Sequence, residues 1–133
     1  MTALLDTNVA MYAAGRDHPA RGPSKALLRR IATGDMDVVA DAEVFQEILH
    51  RFSAIGRIED GCRLFDLLER IVQIVLPIEL EDARTARQII LDIRGLTARD
   101  AIHVAVMRRH SLRIVYSYDR HLDAVPGIER REP

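Results

Sequence analysis

Short apolar runs that each end at a turn or a carboxylate recur along the chain, separated by stretches of helical periodicity. Ala3-Leu4-Leu5 runs into Asp6, and Thr7 or Asn8 starts a helix through Val9–Ala14. Gly15–Pro19 is rich in turn residues, and Pro19 fits the first turn of a second helix that passes Leu27, Leu28 and Ile31 and stops at Gly34. Met36–Ala40 is a short apolar run bounded by turn signals, hence a second buried strand. Asp41 can cap the next helix, whose apolar stripe is Val44, Phe45, Ile48, Leu49, Phe52 and Ile55. Gly56 ends it. Another helix follows from Glu59 through Leu64, Leu67 and Leu68, and the β-branched segment Arg70–Pro77 holds a third strand near its end. Glu81–Ile93 is predicted helical with Ala83, Ala86, Ile89, Ile90 and Ile93 inward, stopped by Gly95. Thr97 and Asp100 have capping-box spacing and open a helix that turns Ala101, Ile102, Ala105 and Val106 to the core. Arg113–Ser117 is a fourth strand, and Ile128–Arg130 a short last one.

The order βααβααβααβ predicts an α/β fold: a three-layer αβα sandwich around a central parallel sheet of four to five strands. In such a sheet the carboxyl ends of all strands share one edge, where ligands bind. Asp6 and Asp119 fall on that edge, each where a strand runs into an acid. Asp6 reads equally well as an N-cap, and Asp100 as a first-turn acid that favours its helix. On the helix after the second strand, Glu47 flanks the apolar stripe and leans toward the same edge, whereas Glu43 lies nearly opposite, toward solvent. Glu47 also has i,i+4 spacing to Arg51. His103 lies one turn beyond Asp100 on the same side, where the two could act as a ligand pair, although a lone helix histidine is ordinarily solvated. No pair among the histidines has zinc spacing.

Composition narrows the class. The 133 residues suit one domain, residues 1–133, and 48% hydrophobic content supports a core. A net charge of −1 argues against a broad grip on nucleic acid and leaves room for a local basic groove. Lys25 is the only lysine, so the basic residues are almost all arginine, the better bidentate partner for phosphate. Arg84, Arg87, Arg94, Arg99, Arg108, Arg109, Arg113 and Arg120 are candidates for phosphate contacts. Cys62 stands alone, so no internal disulfide forms. Met1 leads straight into the first strand and no apolar stretch is long enough to span a bilayer. A cytoplasmic protein with no membrane partner is expected.

Converging carboxylates repel one another, which raises their pKa values unless a cation intervenes. An all-oxygen donor set selects hard ions such as Mg²⁺ or Mn²⁺. The implied reaction is hydrolysis of a phosphate ester.

Leu4-Leu5-Asp6-Thr7-Asn8-Val9, Gln46-Glu47-Ile48-Leu49, Leu96–Ala105 around Asp100, and Val115-Tyr116-Ser117-Tyr118-Asp119-Arg120 together resemble the four acidic motifs of the PIN-domain nucleases. The order and spacing fit across essentially the whole chain, and the size is similar to that of the VapC-type toxins of toxin–antitoxin pairs. The second motif is the weakest, being a glutamate on an amphipathic helix. The resemblance implies a metal-binding and catalytic tetrad of Asp6, Glu47, Asp100 and Asp119, supported by Thr7, Asn8 and Ser117. Ser117 stands where many relatives carry threonine, and Asp123 matches an additional acid after the fourth motif. It further implies Mg²⁺- or Mn²⁺-dependent cleavage of an RNA substrate, a homodimer, and inhibition by a cognate antitoxin protein. Three other readings compete: a housekeeping RNA-processing nuclease of the same type, a non-catalytic PIN-like binding module, and a phosphoaspartate enzyme. Against the last, Asn8 stands where a second acid is needed, and Lys25 is far from the inferred edge.

Overall fold

The computed structural model describes residues Met1–Pro133. Strand β1 (Ala3–Leu5) is buried throughout and forms the middle of a five-stranded sheet. Beside it lie β2 (Val38–Asp41) and β4 (Ile114–Tyr116), with β3 (Val75–Leu76) and β5 (Glu129–Arg131) outermost, in the order β3-β2-β1-β4-β5. Every pairing is parallel.

Alternation along β1 divides the interior. Leu5 joins a core with α1 (Thr7–Ala14), α2 (Arg21–Ala32), α3 (Ala42–Ala54) and α4 (Ile58–Ile71). Leu4 joins a second core with α5 (Leu80–Asp92) and α6 (Ala98–Arg109). The three-layer αβα sandwich expected from the sequence is therefore present, with helices on both faces. Gly61 lets α4 approach α3 closely, because a Cβ there would stand 2.7 Å from Cβ of Phe52. No helix is long and apolar enough to cross a membrane.

The structure corrects several details. Pro19 lies in the turn before α2, which starts at Arg21, and β2 begins at Val38, the residue after Asp37, whose carbonyl accepts from the N–H of Ala3. Leu49 and Ile55, assigned to the buried stripe of α3, are 36% and 61% exposed, and Leu67 of α4 is 40% exposed. On α5, Ala83 and Ile90 face outward. The buried stripe there is Asp82, Ala86 and Ile89, an aspartate standing where an apolar residue was sought. Asp82 is admitted because Arg109 of α6 bonds both its oxygens, at 2.8 and 2.9 Å.

Candidate active site

Leu5 pairs with Tyr116, and the N–H of Asp6 donates to the Tyr116 carbonyl at 3.0 Å, so Asp6 leaves the sheet level with Ser117. Its Oδ1 accepts from the N–H of Thr7 at 2.7 Å, while Oδ2 accepts from Ser117 Oγ at 2.6 Å and from Asn8 Nδ2 at 3.2 Å. Asp6 is thus both the N-cap of α1 and a buried acid at the sheet edge. Asn8 Nδ2 also donates to Ser117 Oγ at 3.1 Å, and Asn8 Oδ1 accepts from the N–H of Tyr118 at 3.1 Å. Ser117 Oγ accepts in turn from the N–H of Asp119 at 3.0 Å. Asn8 and Ser117 therefore tie the first acid to the segment carrying the fourth. Thr7 is fully buried, and its hydroxyl has no hydrogen-bond partner within the protein.

Asp100 enters as the third residue of α6. The N–H of Asp100 donates to Thr97 Oγ1 at 3.2 Å, and the N–H of Thr97 donates back to Asp100 Oδ2 at 3.4 Å, which is the expected capping box. Burial first, and then the neighbouring carboxyl of Asp119, push the Asp100 carboxyl up to about 6. Asp119 stays below the ordinary range despite its own burial, because the N–H of His121 at 2.9 Å, then a hydrogen bond with the Asp100 carboxyl, then the His121 ring at 2.9 Å favour its ionised form. Asp6 is raised by burial, against the pull of His103.

Glu47 reaches the same edge from α3, its carboxylate 3.1 Å from Nη1 of Arg99. The i,i+4 pair with Arg51 that the spacing offers does not form; the partner is Arg99. Glu43 does not point to solvent: its side chain is only 20% exposed and lies 3.8 Å from Nε of the same arginine. The first turn of α3 is drawn inward because its N-cap, Asp41, is anchored to α6. His103 Nδ1 lies 2.6 Å from Asp41 Oδ2, and His103 Nε2 lies 3.5 Å from Asp6 Oδ1. The expectation of a solvated His103 is thus overturned, since the residue is 3% exposed. Burial alone favours a neutral ring, but Asp41, followed by Asp6, raises His103 to about 10. The imidazolium sits behind the site as an internal counter-cation.

Asp6, Glu47, Asp100 and Asp119 line one cavity of about 420 Å³, together with Asn8, Thr97, Arg51 and Arg99. Asp123 stands apart. It is paired with Arg130 at 2.9 Å, and Arg130 donates to the Ser117 carbonyl at 3.0 Å, so Asp123 touches the site only through that arginine. Of the eight arginines proposed for phosphate contact, Arg99 lines the cavity and Arg109 is committed to Asp82. Arg51 lines the cavity and was missed, because its i,i+4 spacing to Glu47 offered a sufficient local partner.

No three histidine, cysteine or carboxylate side chains are gathered into a ready-made metal cage. The donor set still fits a hard cation of the Mg²⁺ type, which keeps several waters and binds through one or two carboxylates plus phosphate oxygens. Every acid in the cavity offers oxygen, and Asp100 and Asp119 are close enough to perturb one another. The N-termini of α1 and α6, where Asp6 is the cap and Asp100 the third residue, add partial positive charge that favours anions at this edge.

The match to known proteins follows this geometry. A model of the PIN domain matches residues 3–128. The chain belongs to the PIN-domain family. It is 43% identical over 127 residues to ribonuclease VapC13 of Mycobacterium tuberculosis, covering 96% of this chain and 97% of that protein. It is 34% identical over 118 residues to ribonuclease VapC23 of the same species, covering 89% and 93%. Among solved structures, the sarcin-ricin-loop-cleaving toxin VapC20 of M. tuberculosis aligns with a TM-score of 0.80 at 18% identity over 100% of both chains.

Proposed function

We propose that this protein is a divalent-metal-dependent endoribonuclease and the toxin of a toxin–antitoxin pair, acting in the cytoplasm as one nuclease domain over residues 1–133. The observation that carries the reading is the convergence of Asp6, Glu47, Asp100 and Asp119, from four separate segments, on one cavity at the carboxyl edge of a parallel sheet. The extended identity to ribonucleases of the VapC type supports it.

Asp6, Asp100, Glu47 and Asp119 would hold Mg²⁺ or Mn²⁺. Such an ion, when bound, lowers the pKa of a bound water and offsets charge on the phosphate. The remaining tasks fall to the protein. Asn8 and Ser117 fix the Asp6 carboxylate, with both its oxygens engaged, at the level of Asp119. Arg99 balances Glu47 at the rim, and Arg51, which makes no ion pair, is free to meet a phosphate entering the cavity. His103 neutralises part of the charge from beneath without entering the cavity. Asp123 would act as a support for Arg130 and the Ser117 backbone. A homodimer and a small antitoxin partner belong to the same proposal. Leu49 and Leu67 offer exposed apolar surface on α3 and α4 for such association.

Sequencing RNA ends after induced expression tests this function. Wild type should arrest growth and create new ends at defined positions, and Asp6→Asn should do neither. Identical RNA ends from both would refute it.

A further inference from the structure

A second cavity, of about 660 Å³, adjoins the acidic one, and Asn8 and Arg51 line both. Its chemistry is the opposite. Arg16, Arg51 and Arg57 line it, with no aspartate or glutamate. Arg57 is partly neutralised by Asp60 at 2.7 Å, whereas Arg16 and Arg51 make no ion pair. Tyr12 and His18 stack within it, their ring centroids 4.6 Å apart and their planes inclined by 31°.

This aromatic pair is anchored to the catalytic edge. Tyr118 packs edge-on against Tyr12 with centroids 5.0 Å apart, and its hydroxyl lies 3.0 Å from Ser24 Oγ. The N–H of Tyr118 donates to Asn8, and the next residue is Asp119. The His18 ring is fixed in turn by accepting from the N–H of Ala20 at 3.0 Å. Aromatic rings beside unpaired guanidinium groups are the combination that holds single-stranded nucleic acid, where bases stack and phosphates meet positive charge.

We propose that this cavity binds the nucleotide next to the scissile phosphate, stacking an unpaired RNA base on the Tyr12–His18 pair while Arg16 and Arg51 hold its phosphate. The inference rests on the ribonuclease reading of the neighbouring cavity. It answers a problem which that cavity creates: four acids repel a polyanion, and the adjoining arginines supply the attraction that leads the strand past them. A protein segment would also find apolar surface here. The two unpaired arginines and the shared wall with the acidic cavity favour RNA.

The test uses the full chain and fluorescent single-stranded RNA decamers, with Ca²⁺ in place of Mg²⁺ to suppress cleavage. Binding is followed by anisotropy, for an intact strand and for strands carrying one abasic position moved along the sequence. Tyr12→Leu should weaken binding of the intact strand roughly tenfold, within the range of one lost stacked base. The same substitution should cost nothing further on the one strand whose abasic position removes that base. Arg16→Ser, on an exposed side chain that cannot disturb the core, should weaken binding and reduce its salt dependence by about one phosphate contact. Hydrolysis of bis-p-nitrophenyl phosphate in Mn²⁺ should be unchanged in both variants, since that ester needs only the acidic cavity. If wild type cleaves RNA and both variants bind it as wild type does, the subsite is wrong and the ribonuclease reading stands. If the variants lose affinity only for the antitoxin protein, the surface is a protein site and the inference is overturned. If wild type neither binds nor cleaves RNA, both readings fall together.

Discussion

Nδ1 of His103 on α6 lies 2.6 Å from Oδ2 of Asp41 at the end of β2, with both side chains almost fully shielded from water. The pair joins the two helical layers through the sheet edge and sets an imidazolium 3.5 Å from Asp6. Removing one member strands a buried charge, which costs about 3–5 kcal/mol. His103→Leu should therefore lower the unfolding free energy by about that amount. Replacing both residues together, His103→Leu with Asp41→Asn, should restore part of the loss. Chemical denaturation of the two single variants and the double variant checks this, and strictly additive losses would show that the pair does not act as a unit.

Glu43 and Glu47 both approach Arg99, but only Glu47 lines the acidic cavity. Glu47→Gln should abolish metal-dependent RNA cleavage with little change in folding. Glu43→Gln should retain cleavage, with a loss of only a few-fold as Arg99 is less firmly held. Matched cleavage assays in Mn²⁺, with circular dichroism as the folding control, separate them. An active Glu47→Gln beside a dead Glu43→Gln would place the wrong face of α3 at the site.

Asp82 predicts a pH effect far from the chemistry. Arg109, through two hydrogen bonds, and the N–H of Glu79 hold its carboxyl below the ordinary aspartate value of 3.8. A depressed folded-state pKa stabilises fully above the unfolded value and is lost as pH falls through the folded one. Wild type should accordingly lose stability below pH 3.8 more steeply than Asp82→Asn. At neutral pH the variant should be weaker by at least about 1 kcal/mol, because an amide keeps an acceptor for the Glu79 N–H but forfeits the charge-assisted hydrogen bonds from Arg109. Parallel melting curves with pH for the two proteins would contradict this.

Asp123 offers a negative control. Its carboxylate is committed to Arg130 outside the cavity. Asp123→Asn should leave Mn²⁺ affinity in calorimetry within about twofold of wild type, a change below 0.5 kcal/mol. A large loss of affinity would make it a direct ligand.

What the sequence made legible follows from how local each signal is. The acids at the ends of β1 and after β4 stand out because an apolar run stops at a carboxylate, and the Thr97–Asp100 box declares itself within four residues. Partners distant in sequence left no such mark. His103 finds Asp41 across 62 positions, and Arg99 finds Glu47 across 52. Periodicity also misplaced the stripe of α5, because a scheme that places apolar residues inside cannot anticipate Asp82, buried by an arginine from another helix. Arg51 was hidden for the converse reason: a plausible neighbour four residues away concealed its place beside two cavities.

The measurement closest to the central claim is cleavage of single-stranded RNA by the purified protein in Mn²⁺, with and without EDTA, for wild type and Asp100→Asn. The carboxyl of Asp100 is held up to about 6 by burial and by Asp119, a state that a cation held by these acids would reverse. Wild type should cleave, EDTA should stop it, and Asp100→Asn should fall by at least roughly a hundredfold, near 2.7 kcal/mol of transition-state stabilisation, while remaining folded. Cleavage that survives EDTA, or a folded Asp100→Asn as active as wild type, would contradict the account.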